Sequence, residues 1–200
     1  KLKVKTIGSK LKKQNKSIEI ENIKTQISLK SIITNEFSIE NLEISTKSLE
    51  IKNLISFVRS FENSPELFIL EKAIEKGYLI ADIKIEFDND GKVKSNYKID
   101  GFIKDLKLSF LKKYNIKKLN LFFDYKKNNL LLSDISFSLN ELNFLSDKIL
   151  LKKIDNNFQV EGVVNHNIID IDKKNLDLFI KPMFPKKDIK KIKFCSKNSF

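Results

Sequence analysis

Two hundred residues, 41% of them hydrophobic, suffice for one ordinary domain with a core and exclude a globally disordered chain. The formal charge of +12 rests almost wholly on lysine, Arg59 being the single arginine, and the lysines alternate with apolar residues. That pattern describes a solvated sheet face better than a nucleic-acid groove, although attraction to anionic surfaces follows from the charge in either case.

From the N-terminus, residues 1–46 predict strands. "SIEIEN" alternates at Ile18 and Ile20, "IKTQISLKSII" carries Ile23, Ile27 and Leu29, and "EFSIENLEIS" carries Phe37 and Ile39, then Leu42 and Ile44. The parity change between Ile39 and Leu42 predicts a bulge or break. The period then changes over residues 47–77, which predict a helical pair. In "IKNLISFVRSFEN", Leu54, Ile55, Val58 and Phe61 share one helical face. In "NSPELFILEKAIEKG", Ser64 suits the N-cap, Pro65 the first helical position and Glu66 the positive end of the dipole. Gly77 is placed to end this second helix in a left-handed conformation. Leu67, Phe68, Ile69, Leu70, Ala73 and Ile74 make it apolar over much of its girth, which predicts cover on more than one side.

Residues 78–181 predict an antiparallel meander. "LIADIKIEFDNDGKVKSNYKIDG" has Leu79, Ala81, Ile83, Ile85 and Phe87 on one parity and Asp82, Lys84 and Glu86 on the other. After an Asp-Gly turn, Val93, Tyr97 and Ile99 repeat the apolar parity. "IKDLKLSF" brings Leu106, Leu108 and Phe110, and "KKLNLFFDY" brings Leu119, Leu121, Phe123 and Tyr125. After the polar turn "KKNN", "LLLSDISFSLNELNF" has Leu130 and Leu132, a slip to Ile135, Phe137 and Leu139, and another to Leu142 and Phe144. A further hairpin turns at "DNN", with Phe158, Val160 and Val164 in phase, and Leu176, Leu178 and Ile180 predict a last strand. Pro182 and Pro185 break the pattern, leaving residues 182–200 as a basic tail. The whole reads as roughly eight to twelve strands interrupted once by helices. The chain lacks an initiator Met and starts and stops in Lys-rich text, which predicts a segment of a longer protein. No signal peptide is visible, and no apolar run nears the roughly 20 residues of a bilayer span.

Chemistry is sparse. Cys195, the one cysteine, permits no internal disulfide, and His166, the one histidine, lacks partners for a zinc site. No phosphate loop, nucleophile elbow or dinucleotide fingerprint occurs. "EFDNDG" (Glu86 to Gly91) opens like a calcium loop, but the twelfth position is Tyr97 where a bidentate Glu belongs, so a hairpin turn is the better reading. The carboxylates of "DIDKKNLD" (Asp170 to Asp177) read as a solvated turn. Stacking aromatics and basic residues would share a face in a single-strand binder; here they lie on opposite faces, so no nucleic-acid partner is expected. The expectation is no enzyme, no metal and no cofactor.

What the apolar face touches stays open at this level. It suits the core of a closed β-sandwich, structural or adhesive. The residues alone favour that core; the alternative is an open, curved sheet whose oily side holds lipid chains, and a surface of that kind implies a ligand or partner.

The stretch from "IENLEIS" through "LEIKNLISFVRSF" to the hairpin "ADIKIEFDNDGKVKSNYKIDGFIKDL" resembles the AsmA-like family of envelope proteins, which includes the YhdP and TamB types. The similarity covers about residues 37 to 165 and rests on strand rhythm and a helix pair, with no chemical residue to carry over. The resemblance implies a mainly β fold, an elongated curved antiparallel sheet forming an open groove with one short helical pair inserted. It implies a periplasmic location, an inner-membrane anchor outside this segment, carriage of phospholipid between inner and outer membrane, and contact with outer-membrane components. Acyl chains would then lie on Ile83, Ile85, Phe87, Val93, Tyr97, Ile99, Leu106, Leu108, Leu119, Leu121 and Phe123. A lipopolysaccharide-bridge-like binder would share the groove with a different cargo.

Overall fold

The computed structural model describes residues 1–29, 33–34, 39–62, 64–110, 114–154, 157–166, 169–171, 192–194 and 197–199. Its elements run β1 (Leu2–Ile7), β2 (Lys10–Lys13), β3 (Lys16–Ile27), β4 (Ile39–Thr46), β5 (Leu49–Glu50), α1 (Ile51–Val58), α2 (Pro65–Ala73), β6 (Ile74–Glu86), β7 (Lys98–Phe110), β8 (Tyr114–Lys126), β9 (Asn129–Leu139), β10 (Leu142–Ile154), β11 (Asn157–His166), β12 (Ile169–Ile171), β13 (Ile192–Phe194) and β14 (Lys197–Ser199). Twelve of the strands form one antiparallel sheet in the order β1-β3-β4-β6-β7-β8-β9-β10-β11-β14, with β2 beside β3 and β5 beside β6. Its first and last strands do not meet, so the sheet stays open. β12 and β13 pair separately. The predicted strand of Leu176, Leu178 and Ile180, the prolines Pro182 and Pro185, Phe37 and Cys195 lie outside the described residues.

The turns follow from polar text. Lys127 and Asn128 take φ of 49° and 63°, and Asn140 and Glu141 take 48° and 76°, the left-handed pairs that two-residue hairpins use. The second predicted parity slip, between Leu139 and Leu142, is therefore a hairpin turn and not a bulge. The first slip is a bulge: Asp134 takes φ 50° between Leu132 and Ile135. Asp105 (φ 51°) and Lys118 (φ 53°) do the same in β7 and β8. Asn120 stitches these two together, accepting from the Asp105 N–H at 2.9 Å and donating to the Lys118 carbonyl at 3.0 Å. Register shifts accompany these bulges in the β6–β7, β7–β8 and β8–β9 pairs, and such bulges bend strands and increase twist. The break expected between Ile39 and Leu42 is present as a shift of register opposite Gln26 and Ile27.

The helices differ from expectation in three respects. In α1 the buried residues are Ile51, Ile55 and Phe57, while Val58 and Phe61 are exposed. In α2 the cap is as expected, the Leu67 N–H donating to Ser64 Oγ at 3.2 Å, but no residue of the helix is buried, and Phe68, Ile69 and Leu70 are exposed. That helix stops at Ala73 because Ile74, only 3% exposed, is drawn into β6 as part of the core. Gly77 thus lies inside a strand with φ 150°, where a Cβ would come within 2.9 Å of the Leu106 Cα. It serves the close approach of β6 and β7 and not a helix end.

Candidate functional site: an uncovered apolar face

Side chains directly opposite in a sheet share a face, so the register defines rows. One row runs Ile23, Ile44, Ile83, Ile99, Tyr125, Leu130, Leu151 and Val160 across eight strands. The next runs Ala81, Gly101, Phe123, Leu132, Ile149 and Gly162. Gly101 is required there: a Cβ would come within 2.8 Å of Cζ of Phe123, so the ring lies across the glycine and paves the surface.

At one end of the strands this face is covered. Ile51 and Ile55 of α1 pack on Ile74 and Leu106, with Leu67, Leu79, Ile103, Leu108 and Leu119 around them. Beside this, Phe57 joins Ile18, Ile20 and Leu49. Arg59 holds α2 by an ion pair with Glu71 and lies 4.9 Å from the Phe68 ring centroid. The hydrogen bond from Arg59 keeps the Glu71 carboxyl below the usual carboxylate range, against the opposing effect of its burial. Between α2 and β7–β9 an almost wholly apolar cleft of about 700 Å³ remains open, lined by Ile69, Leu70, Leu108, Phe110, Ile116 and Leu139 among others.

Towards the other end nothing among the described residues lies over the sheet. Ile83, Ile99, Phe123, Leu130, Leu132, Ile149 and Leu151 are half-buried, screened by their neighbours in the sheet and by no second layer, and Val160 is 42% exposed. The uncovered stretch of β7, Lys98 to Phe102, spans about 13 Å at ~3.3 Å per residue. Tyr97 and Tyr125 border it, ring centroids 5.7 Å apart and hydroxyls 3.4 Å apart, with Tyr125 also donating to Asn128. Their hydrogen bond and partial burial raise the Tyr125 pKa.

The eleven sequence candidates divide between the two ends. Ile83, Ile85, Phe87, Tyr97, Ile99 and Phe123 are half-buried at the uncovered end. Leu106, Leu108 and Leu119 belong to the helix-covered cluster, and Leu121 beside them is 7% exposed. Val93 is outside the strands, joined to Phe87 by an isolated bridge and 54% exposed. Leu130, Leu132, Ile149 and Leu151 complete the surface, with shared parity as the available signal for them, whereas Ile23 and Ile44 of the same row pack against the cluster of Phe57. "EFDNDG" is a turn: Asp88 Oδ1 accepts from the amides of Asp90 and Lys92 at 3.0 and 2.9 Å.

The opposite face is mainly charged. Lys98 bridges Asp100 at 3.1 Å and Asp124 at 3.0 Å, hydrogen bonds that raise its pKa, and Lys84 faces Glu43 at 3.6 Å. An apolar island of Ile80, Phe102 and Phe122 interrupts it, the two rings 4.8 Å apart. No known protein family, curated protein or solved structure matches this chain.

Proposed function

We propose that this chain is a segment of a bacterial envelope protein that carries phospholipid between inner and outer membrane, its acyl chains lying on the uncovered apolar face. The observation that carries this reading is the pair of continuous rows from Ile83 and Ala81 across the sheet, partly exposed beyond the buried Ala81, on an open sheet with no opposing layer among the described residues. A closed sandwich would bury these side chains against a second sheet about 10 Å away. A lipid tail that buries about 200 Å² there gains about 5 kcal/mol at roughly 25 cal/mol per Å². Such contacts have no preferred direction, so a chain can shift without breaking specific bonds. The resemblance to AsmA-like proteins supports the same reading, together with a periplasmic setting and an anchor elsewhere in the parent protein. No described helix is long and apolar enough to cross a membrane.

Native mass spectrometry of the purified chain tests this. Phospholipid is expected to co-purify with it, and Ile85→Lys or Ile99→Asp is expected to remove the lipid while leaving the circular dichroism of the sheet intact. A folded chain free of lipid under all loading conditions overturns the reading.

A further inference from the structure

We propose that the open cleft between α2 and β7–β9 is a hydrocarbon site that encloses the methyl end of a phospholipid acyl chain. The inference rests on the lipid-carrying reading above and names where one tail is held.

The cleft follows from how α2 is attached. Leu67 packs against the cluster of Ile51, Ile55 and Leu106, and Glu71 is held by Arg59. Glu66, Ile69, Leu70 and Ala73 fall at i, i+3, i+4 and i+7, so they share a different face of the helix, and all four line the cleft. The other wall belongs to the sheet. Leu108 pairs with Ile116 and Ile116 with Leu139, while Phe110 pairs with Tyr114 beside them. The two walls do not close on each other. Ile69, Leu70 and Phe110 stay 54%, 43% and 45% exposed around a space of about 700 Å³. That volume falls within the roughly 300–1,000 Å³ of small-ligand sites.

The lining selects the occupant. Among the described residues that form it, only Glu66 and Tyr114 carry polar side-chain atoms. A peptide segment inserted between these walls would leave its backbone N–H and C=O groups without partners. A hydrocarbon chain has no such groups to satisfy, and each methylene that leaves water is a gain. A phosphate headgroup is disfavoured, because the one charge in the lining is the Glu66 carboxylate. The site therefore suits the tail of a lipid. Leu108 lines the cleft and also packs against the helix-covered cluster, so the cleft opens on the same apolar face of the sheet as the uncovered rows.

The test equilibrates the delipidated chain with a phosphatidylcholine bearing a diazirine at the methyl end of one tail, irradiates it, and maps the adducts by tandem mass spectrometry. Adducts at Ile69, Leu70, Phe110 and Leu139 should exceed by at least about fivefold those at Val58 and Phe68, which are exposed on the same helices but do not line the cleft. Leu139→Trp fills the space from the sheet side. The double variant Ile69→Gln, Leu70→Gln makes the helix wall polar and removes no buried side chain, so it keeps the test valid if the tryptophan disturbs folding. A methylene moved out of water is worth roughly fourfold in affinity, so displacing two or more should cut cleft labelling at least about tenfold in either variant. Adducts at Ile83 and Ile99 should persist. Equal labelling of the cleft and of Val58 and Phe68, or unchanged cleft labelling in the folded double variant, overturns the tail site while leaving the lipid face standing. A dimer seen by native mass spectrometry in the wild-type chain and lost in the double variant, without cleft adducts, assigns the walls to a second copy and also overturns it. Absence of adducts from the whole chain instead overturns the lipid-carrying reading itself.

Discussion

Leu106 and Ile99 lie on the same strand and on the same apolar face, yet one is 7% exposed beneath Ile51 and Ile55 and the other has no cover among the described residues. The two ends of the stripe use the same residue types. What separates them is a second layer: α1 dries the end near Leu106, Leu79 and Ile74, and nothing among the described residues does so near Ile99, Leu130 and Leu151. Apolar parity in a strand thus specifies a face, and a partner element is needed before that face becomes a core. Half of the stripe is part of the folded core, and the other half has no second layer among the described residues.

The largest expected effect breaks the comparison if it fails. Leu106→Ala should cost about 2–4 kcal/mol in urea unfolding, a transfer loss plus a cavity, whereas Ile99→Ala should cost less than about 1 kcal/mol. Equal costs would mean that the Ile99 end is covered too. Next, Gly101→Val should destabilise by about 1–3 kcal/mol, because its Cβ would meet the Ile80 carbonyl oxygen at 2.2 Å and displace Phe123. At the bulge in β9, Asp134→Val should lose about 1–2 kcal/mol at its φ of 50°, while Asp134→Gly should be close to neutral, read from thermal unfolding. The smallest effect is a pH effect on α2. Glu71 has its folded pKa lowered by Arg59, so its contribution is fully present above its ordinary value of about 4.3 and is lost as pH falls through the depressed folded value. Hydrogen exchange in α2 should therefore speed up relative to β7 below about pH 4, and Glu71→Gln should abolish that difference between neutral and acid pH.

Much of the sheet was legible because its signal is local. Ile83 and Ile85, or Leu119 and Leu121, declare a face by alternation alone, and the step from Leu132 to Ile135 marked the Asp134 bulge. The bulges at Asp105 and Lys118 are hidden in sequence because the flanking "FIKDLKL" and "IKKLNL" still look like alternation on either side. Asn140 and Glu141 read as a slip in sequence because a two-residue turn also shifts parity. Gly77 had the composition of a helix stop, but the demand of Ile74 for the core decided where α2 ends. Which part of the stripe the helices would cover was not legible, because it depends on contacts such as Ile55 on Leu106, 51 positions apart in the chain. For that reason Leu106, Leu108, Leu119 and Leu121 stood on equal terms with Ile83 and Ile99 until the fold separated them.

The most direct measurement is photo-cross-linking in cells from single benzoylphenylalanine substitutions at Ile99 and Ile149 on the uncovered face, compared with Ile80 on the charged face. Phospholipid adducts are expected at Ile99 and Ile149, with none above background at Ile80. Equal labelling of both faces, or no lipid adduct at Ile99 and Ile149 in a folded chain, would contradict an apolar sheet surface that serves lipid tails.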